Sequence, residues 1–324
     1  MNLRKRAGYK FIKMNVWSTL EDCRRDILAI GKPTIATVGN FDGVHRGHQA
    51  ILRRMMALKQ ARNLPAIMLT FENHTESLLG KQPGLLNTPE FRRELLARQG
   101  VDGVLEVEFN RELASLGPEG FFSTWLMDGM RVGGLVVGYD FKFGAGARGD
   151  YQMLEKLGAA EGIRVERVSP VQEGEIVISS SKIRELISQG AIEIANQLLG
   201  YSFLVTGEVV KGEQRGRGLG FPTANLSLKP GYIQPKFGVY LVKFRTGEDS
   251  YFGVASIGVK PTFGQYAPLL EVHLFDVQLD LYGQLAQVEF LKFIRPEQKF
   301  ANAEALVAQM KKDLQMAKDL AQEY

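Results

Sequence analysis

The feature that most constrains the fold is a change of pattern near residue 200. Between residues 33 and 200, short apolar runs alternate with helical patterns; residues 34–38 read as a strand and 47–62 as a helix. After residue 200, extended segments are separated by Gly and Pro until an amphipathic helix begins near Asn302. The first pattern predicts a parallel sheet covered by helices, and the second predicts an antiparallel barrel or sandwich.

The length agrees with two domains. The chain has 324 residues, and a domain usually takes about 100–200 residues. We place one domain at residues 15–190 and the other at 191–324. The predicted fold class is α/β, with a parallel-sheet domain first and an antiparallel β-barrel with a terminal helix second. In that terminal helix we expect four side chains to face inward: Leu306, Met310, Leu314 and Leu320.

Composition and charge exclude several classes of protein. The single cysteine, Cys23, excludes an internal disulfide and a multi-cysteine zinc site, and it agrees with a reducing, cytoplasmic location. The net charge of +4 favours anionic small ligands but is too weak to indicate DNA or RNA. We expect no membrane partner, because no apolar stretch reaches the roughly 20 residues of a membrane span. The basic start, residues 1–14, reads as a solvated tail or as the result of a start site placed upstream of Met14.

A first cluster of polar residues lies between the first predicted strand and helix, in the run GNFDGVHRGH at residues 39–48. Backbone N–H groups and the helix dipole favour an anion at such a helix start. The imidazoles of His45 and His48 can stabilise charge that grows on a phosphate. A Gly-rich turn with a capping histidine is the alternative, but such a turn does not need the second histidine. The P-loop pattern is absent from the sequence.

Two later segments extend this phosphate-site prediction. VGYDFKFG at residues 137–144 follows a strand, and ISSSKIR at residues 178–184 precedes a helix. Lys182 and Arg184 lie in the first turn of that helix, where a cation opposes the helix dipole. A bound triphosphate would remove this conflict, and a solvent-facing pair is the alternative.

A second cluster lies in the extended half of the chain. Glycines at alternate positions 216, 218 and 220 suit a loop lying against phosphates better than an ordinary strand, with a mobile hairpin as the alternative. Thr223 and Asn225 then offer neutral oxygens on one face, of the kind that Mg²⁺ accepts together with phosphates and waters. Glu271 and His273 share a strand face. Glu271 reads as a base or as a rim carboxylate, and His273 as structural.

These motifs carry a family resemblance that spans residues 16–322. The His45-x-x-His48 run, VGYDFKFG and ISSSKIR resemble the adenylyltransferase half of bacterial bifunctional riboflavin kinase/FAD synthetases. The Pro-Thr-Ala-Asn run at 222–225, together with residues 261–263, 271–274 and 280–283, resembles the riboflavin kinase half. The resemblance implies a Rossmann-like nucleotidylyltransferase domain followed by a riboflavin kinase-like barrel.

The resemblance also implies the reactions and the residues. Riboflavin would be phosphorylated by ATP to FMN, and FMN adenylylated to FAD with release of pyrophosphate. The implied partners are riboflavin, FMN, FAD and ATP with Mg²⁺, while the oligomeric state stays open. The implied catalytic residues are Glu271, His45, His48 and Arg184, and the implied metal ligands are Thr223 and Asn225. The implied ATP- and flavin-binding residues are Gly39, Asn40, Phe41, Asp42, His74, Gly138, Asp140, Ser180, Ser181, Gly216, Gly218, Gly220 and Pro222.

One segment departs from the family pattern. After the second strand the family usually carries Phe-x-Pro-His-Pro, whereas this chain has Phe-Glu-Asn-His-Thr at residues 71–75. The histidine is kept and both prolines are absent, which predicts a less rigid loop. Two alternatives therefore stay open: a riboflavin kinase with an impaired N-terminal half, and a non-catalytic flavin- or nucleotide-binding regulator.

Overall fold

The computed structural model describes residues 14–80, 83–212, 220–228, 230–259, 268–277 and 279–324. These residues form two compact units that divide between Ser180 and Ser181. The division lies N-terminal of the boundary predicted from the sequence. The described helices include none that is long and apolar enough to cross a bilayer.

The first unit is built on a six-stranded parallel sheet. Its order is β1-β4-β3-β2-β5-β6. The strands are β1 Asn15–Trp17, β2 Thr34–Val38, β3 Ala66–Phe71, β4 Gly103–Val107, β5 Val132–Gly138 and β6 Arg164–Val168. Every residue of β2, β3 and β4 is buried. Strands covered on both faces need apolar side chains at successive positions, which explains the continuous apolar runs in the sequence.

Helices cover this sheet. They are α1 Leu20–Ile30, α2 Arg46–Arg62, α3 Pro89–Arg98, α4 Arg111–Ser115, α5 Pro118–Phe121 and α6 Tyr151–Ala160. Short 3₁₀ turns at Thr75–Leu79 and Ala145–Ala147, a π-helix at Phe122–Gly129 and a hairpin of β7 Gln172–Glu173 with β8 Ile176–Val177 complete the unit. The start of helix α3 is fixed by its sequence, because the Thr88 hydroxyl accepts from the Phe91 N–H and Pro89 lies in the first turn.

The hydrophobic core of the first unit includes the single cysteine. Cys23 on α1 is fully buried among apolar neighbours such as Trp17 and Ile27. Its burial, and next the charge of Asp26, raise the pKa of this thiol to about 12. The thiol therefore stays protonated near neutral pH and packs as a small apolar side chain.

The second unit is a closed antiparallel barrel. Helices α7 Ser180–Gln189 and α8 Ile192–Leu199 precede it. The strands are β9 Leu204–Val210, β10 Ala224–Ser227, β11 Gly238–Thr246, β12 Asp249–Val259, β13 Pro268–Leu274 and β14 Leu285–Pro296, in the order β10-β13-β12-β11-β14-β9. The structure thus selects the barrel over the sandwich. Helix α9 Ala303–Leu320 and a 3₁₀ turn at Ala321–Glu323 end the chain.

Helix α9 is held to the barrel by a charged residue as well as by apolar ones. The four side chains predicted to face inward are partly buried, and the fully buried positions of α9 are Asp313 and Ala317. The Asp313 carboxylate accepts three hydrogen bonds of 2.7–3.0 Å from the guanidinium of Arg295 on β14. A bidentate pair of this kind fixes the position of the helix on the barrel.

Candidate functional site

The turn between β2 and α2 brings the two histidines of the first site together. His45 is the N-cap of α2, and its Nδ1 accepts from the His48 N–H at 3.3 Å. The two imidazole rings stack with their centroids 3.7 Å apart. Because Nδ1 of His45 is an acceptor here, the ring proton of neutral His45 lies on Nε2.

The backbone of this turn is strained and tightly packed. Phe41 and Val44 have φ angles of 46° and 36°, which non-glycine residues adopt rarely. Both side chains are buried, and the Phe41 ring lies 4.6 Å from the ring of His48. A Cβ on Gly47 would lie 3.0 Å from the His45 ring, so glycine allows that ring to fold over the helix start. Such strain persists where packing holds it and is common at functional sites.

Two polar atoms of the turn are buried without a hydrogen-bond partner in the described structure: His48 Nδ1 and Asn40 Oδ1. Buried polar groups in native proteins nearly always have a partner, so two exceptions in one turn indicate a place for a ligand. Burial, and next the charge of His45, hold the pKa of His48 well below its ordinary value. His48 is therefore neutral near pH 7 and can act there as a hydrogen-bonding group.

Neighbouring loops join the turn at the same edge of the sheet. Asn40 Nδ2 donates to Thr75 Oγ1 at 3.1 Å, and the Ser180 hydroxyl donates to the Asp42 carbonyl at 2.8 Å. The Asp42 carboxylate accepts from the Leu86 N–H at 2.9 Å. His74 caps the 3₁₀ turn that begins at Thr75, with Nδ1 accepting from the Glu76 N–H.

The remaining predicted residues of the first unit lie after β5. Gly138 ends β5, which pairs with β2, and the exposed Asp140 lies in the turn that follows. The loops after β2, β3 and β5 therefore meet at the carboxyl edge of the sheet, where open α/β sheets bind ligands.

Three predicted residues lie on α7. Ser181 is exposed and Arg184 is half-buried. Lys182 makes a 3.0 Å ion pair with Glu185 on the same helix. A local carboxylate therefore offsets the charge of Lys182 at the helix start, without any need for a bound phosphate at that residue.

In the barrel, Asn225 on β10 pairs in register with Glu271 on β13. Directly paired residues extend their side chains on the same face of the sheet. Asn225 is buried, its Oδ1 has no hydrogen-bond partner in the described structure, and its Nδ2 donates to the Thr223 carbonyl at 3.4 Å. A Cβ on Gly212 would lie 2.5 Å from that amide nitrogen, so a larger residue at position 212 would displace the Asn225 amide.

The segment before Asn225 is held by His273. Nδ1 of His273 lies 2.9 Å from the Pro222 carbonyl oxygen, and because a carbonyl can only accept, the imidazole donates. This contact agrees with the structural interpretation of His273, since it fixes the peptide that leads into Thr223. Gly220 lies just upstream with a φ of +86°. Gly216 and Gly218 lie outside the described residues, as does the segment 261–263.

The donor set of the barrel suits a hard divalent cation. Among the described residues, no cluster of three or more His, Cys, Asp or Glu side chains could hold a metal ion. The buried oxygen of Asn225 and the oxygens of Thr223 are instead the neutral ligands that Mg²⁺ accepts when substrate phosphates and waters complete its shell.

The loop that lacks the family's prolines is tied by side chains. Asn73 Oδ1 accepts from the Phe109 N–H at 2.7 Å, and Asn73 Nδ2 donates to the Phe109 carbonyl at 3.0 Å. Thr75 accepts from Asn40, as described above. Both residues that stand in place of proline therefore make hydrogen bonds that restrict the loop.

Sequence reasoning missed Arg92 on α3. This buried guanidinium donates to the Asn40 carbonyl at 3.2 Å, to the Phe71 carbonyl at 2.8 Å and to the Glu106 carboxylate. It thereby joins the ends of β2, β3 and β4. The glutamate inside the otherwise apolar β4 run Gly-Val-Leu-Glu-Val was the signal that could have found it, because a buried charge requires a partner.

Comparison with known proteins relates each half of the chain to an enzyme family. A family model of FAD synthetase matches residues 28–182, and one of riboflavin kinase matches residues 199–321. The bifunctional riboflavin kinase/FMN adenylyltransferase of Escherichia coli (strain K12) is 42% identical over 282 residues, which cover 86% of this chain and 90% of the relative. The chain belongs to the bifunctional riboflavin kinase/FMN adenylyltransferase family. The predicted resemblance and fold class are thus confirmed, and the chain contains both enzyme domains.

A further relative and a solved structure are also similar over most of the chain. The bifunctional riboflavin kinase/FMN adenylyltransferase of Bacillus subtilis (strain 168) is 37% identical over 291 residues, which cover 88% of this chain and 91% of the relative. A crystal structure described as a macrolide-efflux protein from Streptococcus pneumoniae is similar with a TM-score of 0.84 and 30% identity. The similarity covers 93% of this chain and 97% of that chain.

Proposed function

We propose that the chain phosphorylates riboflavin to FMN with ATP in the barrel and then adenylylates FMN to FAD, with release of pyrophosphate, in the parallel-sheet unit. One observation carries the proposal: each unit has, at the predicted site, a buried polar atom without a partner in the described structure. These atoms are His48 Nδ1 in the sheet unit and Asn225 Oδ1 in the barrel. The proposed domains are residues 15–190 and 191–324.

In the kinase step, Glu271 would take the proton of the ribityl 5′-hydroxyl as that oxygen attacks the γ-phosphorus of ATP. The bond from the γ-phosphorus to the β,γ-bridging oxygen would break, and ADP would leave. The register of Glu271 with Asn225 supports this role, because paired residues share a sheet face and Asn225 is, with Thr223, a proposed metal ligand. A divalent cation, proposed as Mg²⁺, neutralises phosphate charge when it is bound. Pro222 and the glycines at 216, 218 and 220 would shape the phosphate loop, and His273 would hold the Pro222 peptide in place.

In the adenylyl transfer, an FMN phosphate oxygen would attack the α-phosphorus of ATP and pyrophosphate would leave. The Nε2–H of His45 and the ring of His48 would hydrogen-bond to the phosphates, and Arg184 would supply positive charge. The turn at residues 39–42, His74, Gly138, Asp140, Ser180 and Ser181 would bind ATP and flavin. Neither step needs a covalent intermediate, so catalysis consists of positioning and stabilisation of charge.

We also propose that the partners of the chain are small molecules and that its location is cytoplasmic. ATP and flavins suffice as partners, and the net charge of +4 is too weak to indicate DNA or RNA, so we expect no nucleic acid. A single, buried cysteine agrees with a reducing cytoplasm.

The test supplies riboflavin, ATP and Mg²⁺ and separates riboflavin, FMN and FAD by chromatography. Glu271→Gln keeps the size of the side chain and removes the base, so FMN formation should fall by about 10²–10⁴-fold while supplied FMN is still converted to FAD. His48→Ala should do the reverse, and each variant is thus the control for the other. Unchanged FMN formation would remove Glu271 from the mechanism. If the unmutated protein makes FMN but no FAD, the kinase-only alternative stands.

A further inference from the structure

The side chain of Asn73 anchors the loop between β3 and the 3₁₀ turn. Both polar atoms of its amide bind the backbone of Phe109, at 2.7 and 3.0 Å. Phe109 lies just beyond the end of β4, the sheet neighbour of β3. The contact therefore extends the pairing of β3 and β4 past the Glu72 N–H, which still donates to the Val107 carbonyl.

The anchored loop carries the partner of Asn40. Thr75 Oγ1, two residues after Asn73, accepts from Asn40 Nδ2 at 3.1 Å. This bond occupies the nitrogen of the Asn40 amide and fixes which way the amide faces. The other atom, Asn40 Oδ1, is buried and has no hydrogen-bond partner in the described structure.

We propose that Asn73 is a positioning residue for the adenylyl-transfer site: it holds Thr75 where that hydroxyl orients the Asn40 amide, so that Asn40 Oδ1 can accept a hydrogen bond from substrate. An amide oxygen can only accept. Its partner is therefore a hydroxyl or N–H group of ATP or FMN and not a phosphate oxygen. The inference rests on the proposed function of this site.

Loss of the Asn73 or Thr75 hydrogen bond should lower the affinity for substrate by a predictable factor. Removing a hydrogen bond that orients a binding group costs about tenfold in affinity, and a binding-competent state that is less populated raises the apparent dissociation constant in proportion. Asn73→Ala and Thr75→Val remove successive bonds of one chain of contacts that ends at Asn40. Because they act in series, their effects should not multiply.

The experiment uses the whole chain and measures FAD formation with FMN and ATP varied separately. Asn73→Ala and Thr75→Val should each raise the KM of one of the two substrates about tenfold, with kcat within about twofold. The double variant should also stay near tenfold. The substrate that shows the rise is the one that donates to Asn40. FMN formation from riboflavin by the same preparations should be unchanged, which controls for amount and integrity of the protein.

Two results would overturn the inference: both KM values unchanged in Asn73→Ala, or a double variant near the hundredfold product of the single effects. Asn73 is only half-buried, so the variants are expected to fold. The His48→Ala variant separates this inference from the proposed site. If His48→Ala abolishes FAD formation while Asn73→Ala changes nothing, the site stands and the positioning role fails. If His48→Ala has no effect, the proposed site itself is wrong.

Discussion

Replacing Arg92 by Met should destabilise the first unit specifically. Methionine keeps most of the length and the apolar stem of the side chain but removes the charge and every donor. Arg92 is 5% exposed and its partner Glu106 is 4% exposed. The substitution therefore leaves a buried carboxylate without its main partner and removes the guanidinium donors of two carbonyls, Asn40 and Phe71. The Asn40 carbonyl still accepts from the Thr70 hydroxyl at 3.1 Å.

The size of the effect follows from these contacts. Removing one member of a buried ion pair costs about 3–5 kcal/mol, because the other charge stays buried. Arg93 Nη1 lies 3.3 Å from the second oxygen of Glu106 and remains in the variant. Since this contact offsets part of the lost stabilisation, we expect the free energy of unfolding to fall by the lower end of that range, about 3 kcal/mol. For a unit of this size that corresponds to a melting temperature lower by about 6–12 °C.

Tryptophan fluorescence can follow this unit alone. The chain has 2 tryptophans, Trp17 and Trp125, and both lie in the first unit. Urea unfolding monitored by tryptophan fluorescence should therefore report the decrease in the free energy of unfolding of the first unit. Arg93→Met is the matched control: its side chain is 31% exposed, so we expect a loss below about 1 kcal/mol. Equal shifts for the two variants, or no shift for Arg92→Met, would refute the reasoning.

Two further predictions concern pH and the independence of the barrel. Folding lowers the pKa of His48. As pH falls below about 6.5, His48 is therefore protonated in the unfolded chain before it is protonated in the folded chain, and this protonation favours unfolding. The urea midpoint of the first unit should thus decrease from pH 7.5 to 5.5, and less steeply in His48→Gln; equal slopes would contradict this. Residues 181–324 expressed alone should fold and make FMN but no FAD. A fragment starting at 202 should be less stable, because it lacks α8 and the bonds of Asn196 to Phe203 and Phe290; equal stability of the two fragments would be the contrary result.

The parts of the fold that were predictable are those in which local pattern and burial agree. The strand at Thr34–Val38 matches the prediction residue for residue, because it is a central strand buried on both faces. The terminal helix was predicted to start near Asn302, and the side chain of Asn302 accepts from the Ala305 N–H as its N-cap. The paired histidines were found because a turn followed by a helix start is a local feature.

The parts that were not predictable depend on tertiary contacts. Strand β1 has three residues, too few for an alternating pattern. Asp313 is buried on α9 only because Arg295 meets it there, and apolar periodicity cannot detect such a position. Asn73 reaches a residue 36 positions away, and Arg92 joins carbonyls of two separate strand ends. Bonds of this kind require the strand order, which the sequence pattern alone does not contain.

The closure of the barrel has a consequence for aggregation. A closed barrel has no unpaired edge strand that could pair with another molecule. The six-stranded sheet, in contrast, ends at β1 and β6. Strand β1 is very short, and β6 carries Arg164, Glu166 and Arg167 within five residues. Short length and charge both discourage pairing between molecules, so the two edges of the six-stranded sheet are protected by different physical means.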